Sequence, residues 1–244
     1  MAVTNLDHLG ESAARAIRRR AARLLSRPVV TAFHSLYYGE GLQTWLNTWW
    51  LGHRVLKNPL DLWIYQEILH ELKPDLIVET GTAEGGSALY LASICDLIGS
   101  GRVLTVDIEE RAGRPVHERI RYLLGSSTDP EIVKLVEDEA STASTVLVIL
   151  DSAHSARHVS AELDVYAPLV TPGSYMSVED TNINGHPVSR SFGPGPMEAV
   201  EAFLERSSEF SSDCSREKFQ FTFNPNGYLK RIGGDQLEKG ASGN

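Results

Sequence analysis

Apolar strand-like segments alternate with helix-like segments from residue 74 onward, and this alternation constrains the fold more than any other feature. The predicted strands span 75–80, 102–108, 120–126, 145–151 and 173–180, and the predicted helices span 85–98, 129–141, 156–169 and 196–207. Repeated strand–helix units joined by short connections build a mostly parallel sheet with helices on both faces. The sequence therefore predicts a doubly wound α/β fold.

The C-terminal apolar segment differs from the earlier strands. Residues 218–232 read as an antiparallel hairpin that turns at Asn-Pro-Asn-Gly (224–227). A hairpin that finishes a parallel sheet is typical of the methyltransferase variant of the Rossmann-like fold. We expect a methyltransferase domain over 71–232. A helical arm and lid over 1–70 would precede it and contribute to the site of the molecule that accepts the methyl group. Residues 233–244 have the composition of a disordered tail.

Charge is unevenly distributed along the chain. The net charge is −9 at pH 7, yet residues 1–27 carry six arginines and only two acids. The remaining acidic body excludes an extended nucleic-acid groove, which needs a basic face. No apolar run approaches the roughly 20 residues that span a bilayer, and two cysteines are too few for a disulfide framework. These features favour a cytoplasmic enzyme or binding protein.

The N-terminal third contains two features with open interpretations. Residues 9–26 have the period of a basic amphipathic helix, which packs on its own protein or another subunit, or lies on a membrane surface. Residues 29–66 are rich in aromatic side chains. Two compatible interpretations are open: a cap on the core, and a wall that stacks on a ligand such as a sugar ring. Trp49 is our candidate for the contact with the ligand.

A glycine-rich turn follows the first predicted strand. It has the pattern Glu79-x-Gly81-x-x-x-Gly85-Gly86, which is not the G-x-G-x-x-G pattern of dinucleotide-binding proteins. An acid at Glu79 would repel the phosphates of a dinucleotide, but it suits the cationic aminoacyl end of S-adenosylmethionine (SAM). Asp107, at the end of the second strand, is suited to bind ribose hydroxyls.

Three acids end two later strands. Asp151 ends the strand 145–151, and Glu179 and Asp180 end the strand 173–180. Carboxyl ends of parallel strands meet at one edge of the sheet, where three carboxylates would repel each other unless a hard cation lies between them. We therefore predict that the three acids bind Mg²⁺. His154 lies just beyond Asp151, and we predict that it is the general base.

These features resemble the cephalosporin hydroxylase-like, Mg²⁺-dependent methyltransferases, which include rhamnosyl and macrolide-sugar O-methyltransferases. The resemblance covers about 36–232, and the matching stretches are 58–69, 78–90, 125–130, 149–155, 178–188 and 192–196. It implies a class I SAM-methyltransferase fold and the metal and base roles given above. It also implies SAM contacts by Tyr65, Gln66, Glu79, Gly81, Thr82, Ser87, Asp107, Ser126 and Asp151. Asn182 and His186 would border the acceptor.

The resemblance leads to a functional hypothesis with two alternatives. The leading hypothesis is Mg²⁺-dependent methylation of a sugar hydroxyl, in a rhamnoside or mannoside of a glycolipid, polysaccharide or glycosylated natural product. We expect an actinobacterial homo-oligomer without a nucleic-acid partner or a transmembrane segment. One alternative is oxidation or methylation in antibiotic biosynthesis, as the family name suggests. The other is an NAD(P)-linked oxidoreductase on a Rossmann sheet, against which Glu79 and the glycine spacing argue.

Overall fold

The N-terminal part of the described chain consists of a helix, a short turn and a small hairpin. A computed structural model describes residues 26–39 and 43–233. The predicted helix over 9–26, apart from its last residue, and the tail beyond residue 233 lie outside these residues and stay predictions. The described chain begins with helix α1 over 26–38, followed by a 3-10 turn at Thr44–Asn47 and a small antiparallel hairpin of β1 (Trp49–Trp50) and β2 (His53–Arg54).

A seven-stranded sheet forms the centre of the molecule, in the order β5-β4-β3-β6-β7-β9-β8. Its strands are β3 Leu76–Thr80, β4 Arg102–Asp107, β5 Ile120–Leu124, β6 Val146–Leu150, β7 Tyr175–Val178, β8 Phe210–Ser212 and β9 Tyr228–Arg231. Strands β3 to β7 pair in parallel, and β9 runs antiparallel to both β7 and β8. The predicted mostly parallel α/β sheet with an antiparallel C-terminal pair is confirmed.

Helices cover both faces of this sheet. They are α2 Pro59–Leu72, α3 Gly86–Ile98, α4 Pro130–Ala140, α5 Ala156–Tyr166 and α6 Pro196–Arg206. Alternate residues of the central strands enter two separate cores: Val148 joins the core with α4, α5 and α6, and Leu147 joins the core with α2 and α3. None of the helices in the described ranges has the length and hydropathy of a bilayer-spanning segment.

The predicted C-terminal hairpin is wrong in its first strand. The partner of β9 is β8, and residues 218–223 form no strand. The reason is that the backbone of this segment bonds elsewhere: Phe223 N–H donates to the Asp61 carboxylate at 2.8 Å, and its carbonyl accepts from Asn182 N–H at 3.1 Å. The rings of Phe221 and Phe223 pack on α1 instead. The predicted turn at 224–227 is present and leads directly into β9.

The strand ends determine where functional side chains meet. Strands β3, β4, β6 and β7 run in the same direction, so Gly81, Asp107, Asp151 and Glu179 lie at one edge of the sheet. Ligand sites of open α/β sheets lie at this carboxyl edge. The division into an arm over 1–70 and a domain over 71–232 stays a prediction, although the buried side chains of α2 belong to the core of the sheet.

Candidate active site

A cavity of about 430 Å³ opens at the carboxyl edge of the sheet. This volume lies in the range of pockets for small ligands. Among the predicted site residues, its lining includes Gly81, Asp107, Ser126, Asp151, His154 and Asp180. The sheet thus brings one end of the predicted cofactor site and most of the predicted catalytic cluster to a single cavity.

The turn after β3 requires glycine. Gly81 has φ of 86°, and a Cβ at this position would lie 1.8 Å from the backbone oxygen of Asp151. Gly85, which precedes α3, has φ of 80° and donates its N–H to the Thr82 carbonyl at 2.8 Å. Residues with a side chain rarely adopt such positive φ values. The glycines therefore allow the end of β3 to contact the end of β6 beside the cavity.

Asp107 is held in a fixed orientation at the opposite side of this turn. Its two carboxylate oxygens accept the backbone N–H groups of Ala83 and Glu109 at 2.8 and 2.9 Å. The guanidinium group of Arg114 lies 3.2 Å from the oxygen that faces Ala83. A carboxylate fixed in this way needs little reorganisation to bind a ribose hydroxyl, the role predicted for it.

Three of the predicted cofactor residues lie beneath the turn, outside the cavity lining. The carboxylate of Glu79 is fully buried and accepts the hydroxyl groups of Ser87 and Thr105. The Thr82 hydroxyl bonds to the Thr105 hydroxyl at 2.7 Å. Burial raises the pKa of Glu79 to about 7, although the charge of Lys57 and the two hydroxyl groups act in the opposite direction. Direct cofactor contacts by Glu79, Thr82 and Ser87 stay predictions.

The predicted base and two predicted metal ligands converge. One potential ligand atom from each of Asp151, His154 and Asp180 lies within 4.8 Å of the others. His154 Nε2 is 3.3 Å from Asp180 Oδ2. Burial raises the pKa of both aspartates, and the charge of Lys57 acts in the opposite direction. Two hard oxygen ligands and an imidazole in this arrangement can hold a divalent cation, or the imidazole can stay free to accept a proton.

Lys57 is a site residue that sequence reasoning missed. Its Nζ lies 2.6 Å from Asp151 Oδ2 and 2.7 Å from Glu179 Oε1, and its side chain is only 2% exposed. Burial disfavours a charged lysine, but the charges of Asp151 and Glu179 outweigh it and raise the pKa of Lys57. The only local signal was its position directly before Asn58, the N-cap of α2.

The third predicted metal ligand, Glu179, lies beside the His154 group but outside it. Its Oε1 accepts the hydroxyl group of Tyr65 at 2.6 Å and contacts Lys57. Tyr65 is fully buried, and Gln66 is partly buried. Neither residue lines the cavity. Their predicted approach to the methyl donor, and metal binding by Glu179, stay predictions.

The aromatic wall of the cavity is formed by residues other than the predicted Trp49. Tyr38 and Trp45 stack on each other, with ring centroids 5.3 Å apart, and both line the cavity. Trp49 is 54% exposed on the small hairpin, lies outside the lining and donates its indole N–H to Asn47. Other aromatics of the same segment, including Phe33, pack on Phe221. The segment thus contains both a cap and a wall.

The loop between β7 and α6 carries the predicted acceptor residues Asn182 and His186. The Asn182 side chain is fully buried, and its amide has no hydrogen-bond partner among the described residues. Glu198 anchors the rest of the loop, because its carboxylate accepts from Asn184 Nδ2 at 2.8 Å, contacts His186 Nε2 at 3.0 Å and accepts Gly195 N–H at 2.7 Å. Neither Asn182 nor His186 lines the cavity that contains His154.

Glu198→Gln is expected to destabilise the protein in a pH-dependent way. Burial raises the pKa of Glu198, but hydrogen bonds from Gly195, His186 and Asn184 outweigh it and lower the pKa from 4.5 to about 2. Because the folded pKa lies below the unfolded one, this stabilisation is present above pH 4.5 and is lost as pH falls toward 2. Allowing for partial exposure, we expect a loss of about 1–2 kcal/mol at pH 7.

Urea unfolding of the wild-type protein and of Glu198→Gln at pH 7 and at pH 3 measures the loss of stability at each pH. Glu201→Gln is the matched control, because Glu201 is exposed on the same helix. A loss of stability that is as large at pH 3 as at pH 7 would show that the carboxylate charge of Glu198 does not anchor the loop.

Sequence comparison identifies the family. The family model described as Rhamnosyl O-methyltransferase/CmcI matches residues 42–232. The chain belongs to this family. Among its curated relatives, the rhamnosyl O-methyltransferases of Mycobacterium tuberculosis (strain ATCC 25618 / H37Rv) and Mycobacterium bovis (strain BCG / Pasteur 1173P2) are 43% identical over 221 residues, covering 86% of this chain and 89% of each relative. The enzyme of that name from Mycobacterium leprae (strain TN) is 41% identical over 209 residues, covering 83% and 90%.

Solved structures agree with this family in their fold. An apo structure of CmcI has a TM-score of 0.59 at 22% identity and covers 77% of each chain. A structure titled with CmcI, Mg and SAM has a TM-score of 0.59 at 20% identity and covers 77% of this chain and 78% of that one. The prediction of the rhamnosyl O-methyltransferase/CmcI family is therefore confirmed, and so is the prediction of a methyltransferase.

Proposed function

We propose that this rhamnosyl O-methyltransferase/CmcI family member transfers a methyl group from SAM to a hydroxyl group of a sugar, in a rhamnoside or mannoside. The observation that carries the proposal is the convergence of Asp151, His154 and Asp180 on a cavity whose opposite side contains Asp107 and Ser126. The relatives named rhamnosyl O-methyltransferase support the acceptor class. The family member CmcI, with Mg and SAM in its title, supports the donor and the cation.

The cavity offers different chemistry to the two ends of the donor. Asp107 and Ser126 supply a fixed carboxylate and a hydroxyl group for the ribose. Gly81 lines the cavity at the end of β3, so the donor would approach the backbone of the glycine turn there. From there the methyl group would point toward Asp151 and His154, which line the same cavity.

The acids at this end fit a divalent cation. Asp151 and Asp180 would hold Mg²⁺ with hard oxygen ligands, and Glu179 lies beside them as the third predicted ligand. Mg²⁺ at this position would offset their mutual repulsion and lower the pKa of a hydroxyl group that approaches it. Because the carboxylates serve the cation, we assign the proton to His154, whose imidazole is suited to general-base chemistry near neutral pH.

The reaction then needs one displacement. The sugar hydroxyl oxygen attacks the methyl carbon of SAM, and the C–S bond breaks as the C–O bond forms. His154 takes the hydroxyl proton at Nε2, and the Asp180 carboxylate, 3.3 Å away, stabilises the resulting imidazolium. The products are a sugar methyl ether and S-adenosylhomocysteine.

The full-length protein with labelled SAM, Mg²⁺ and a panel of rhamnosides and mannosides tests this proposal. We expect label in a methyl ether of one or a few acceptors, with its position given by NMR. Equilibrium binding of S-adenosylhomocysteine and of NAD⁺ is the second measurement. Binding of NAD⁺ without binding of S-adenosylhomocysteine would contradict the proposal and favour an oxidoreductase.

Tyr38→Ala and Trp45→Ala are expected to raise KM for the sugar acceptor about tenfold. The stacked pair lines the cavity that contains His154, and it also lines a second cavity of about 390 Å³ with the loop residues 187–190. A sugar ring packed on this pair would lose roughly 1–1.5 kcal/mol of stacking energy. Steady-state kinetics measure the change.

Trp49→Ala is the matched control for these variants. It also removes an indole from the aromatic segment, but Trp49 is exposed and lies outside both cavities. We expect its KM to stay within about twofold of the wild-type value. A larger effect of Trp49→Ala than of Trp45→Ala would return Trp49 to the role predicted from the sequence.

A further inference from the structure

The carboxylate cluster contains a cation supplied by the protein itself. Asp151, Glu179 and Asp180 carry a formal charge of −3 when ionised, and Lys57 reduces it to −2. The Lys57 ammonium group contacts Asp151 Oδ2 at 2.6 Å and Glu179 Oε1 at 2.7 Å. A charge of −2 is the charge that one divalent cation balances.

The position of Lys57 is fixed by the start of α2. Asn58, the next residue, caps this helix by accepting Leu60 N–H at 3.1 Å, and its backbone and side chain are buried. About two helical turns later, Tyr65 of the same helix donates its hydroxyl group to the same Glu179 oxygen that Lys57 contacts. The residue before the N-cap of α2 and the N-terminal half of the helix thus each direct one donor at Glu179.

The buried charge of Lys57 is stabilised by its pairing with the carboxylate cluster. A buried ammonium group is strongly unfavourable unless it is paired, and a buried carboxylate is equally so. The side chains of Lys57 and Glu179 are 2% and 4% exposed. Removal of Lys57 would leave the buried Glu179 carboxylate without this counterion, whereas removal of Glu179 would leave Lys57 paired with Asp151 alone.

We propose that Lys57 is a positioning residue, which holds Asp151 and Glu179 in place before the divalent cation binds. The identity of that cation rests on the proposed function. In the metal-free protein Lys57 is the counterion that lets neighbouring carboxylates remain together. In the metal-bound protein Mg²⁺ supplies much of the same stabilisation, so the contribution of Lys57 to stability depends on the metal.

Thermal unfolding of the full-length protein in EDTA and in saturating Mg²⁺ tests this dependence. Lys57→Met keeps much of the side-chain volume and removes the charge. We expect its Tm to fall by about 10 °C in EDTA, and by less than half as much in Mg²⁺. Isothermal titration with Mg²⁺ should also give a smaller dissociation constant for Lys57→Met than for wild type, because the competing positive charge is gone.

Lys218→Met is the control for loss of a lysine–glutamate pair. Lys218 contacts Glu67 at 2.5 Å at the surface, where the lysine is 46% exposed, so this variant should lose little stability in either medium. An equal loss of Tm by Lys57→Met in EDTA and in Mg²⁺ would reduce Lys57 to a packing role and overturn the proposal. Wild-type protein that neither binds nor responds to Mg²⁺ would instead overturn the metal step of the proposed function, and this proposal with it.

A double variant keeps the test decisive if Lys57→Met does not fold. Lys57→Met combined with Glu179→Gln removes one positive and one negative charge together. We expect this protein to fold in EDTA with a higher Tm than Lys57→Met alone. A double variant that is no more stable than the single variant in EDTA would contradict the pairing of Lys57 with the carboxylates.

Discussion

Asp151→Asn is expected to lower kcat roughly 10²–10³-fold, the effect typical of losing one preorganised electrostatic group. Asp151 contacts Lys57 and belongs to the group with His154 and Asp180, so its charge acts on both the cation and the base. Asparagine keeps the shape of the side chain but removes the charge. EDTA should abolish the activity of the wild-type enzyme because it removes the cation that these carboxylates are proposed to bind, and added Mg²⁺ should restore the activity.

Binding measurements separate this effect from loss of the donor. The dissociation constant of S-adenosylhomocysteine should change much less than kcat, because Asp107 and the side of the cavity that we propose for the ribose are unchanged. Asp164→Asn serves as the control, since Asp164 is an exposed acid paired with Arg206 at 2.6 Å. Full activity in EDTA, with no metal bound to the protein, would disprove the metal role of these acids.

His154→Ala is expected to lower kcat by about 10²–10⁴-fold, the usual contribution of a general base. This range corresponds to about 3–5 kcal/mol of transition-state stabilisation. The partly exposed imidazole lines the cavity, and its Nε2 lies 3.3 Å from Asp180. The variant should remain folded and bind donor and Mg²⁺, which circular dichroism and titration calorimetry measure.

His158→Ala is the control variant, because it removes another histidine from the same cavity and so shows whether the position of His154, and not merely loss of a histidine, lowers kcat. His158 also lines the cavity one helical turn later, but its Nε2 lies 3.2 Å from the Ser127 hydroxyl group and 3.5 Å from Glu162. We expect it to lower kcat less than tenfold. If His154→Ala keeps more than about a third of wild-type kcat when chemistry limits the rate, another group accepts the proton.

The sequence predicts the sheet and the approximate position of the site well, because both depend on local patterns. Strand and helix periods are visible in short windows, and parallel strands necessarily bring Asp107, Asp151 and Glu179 to one edge. The first strand of the C-terminal hairpin was wrong for the opposite reason. The alternation of residues 218–223 is compatible with a strand, but Asp61, more than 150 positions earlier, accepts the backbone N–H of Phe223.

Contacts between distant residues also explain what was missed at the site. Lys57 lies 94 positions before Asp151, and no motif marks a lysine that contacts two acids of other strands. The aromatic segment predicted a wall, but composition alone does not reveal which rings line a cavity, and Trp45 occupies the position expected for Trp49. The contacts of Lys57 and the choice of rings that line the cavity both depend on tertiary packing, which brings together residues that are far apart in the sequence.

Gly81 limits how the enzyme can be re-engineered. Any β-carbon at this position would overlap the Asp151 backbone oxygen, so a larger residue must push the ends of β3 and β6 apart. That displacement would move the glycine turn and Asp151 at the same time. A library that seeks to accept other sugar acceptors should therefore leave this turn unchanged and vary Tyr38 and Trp45, whose rings can change without moving a strand.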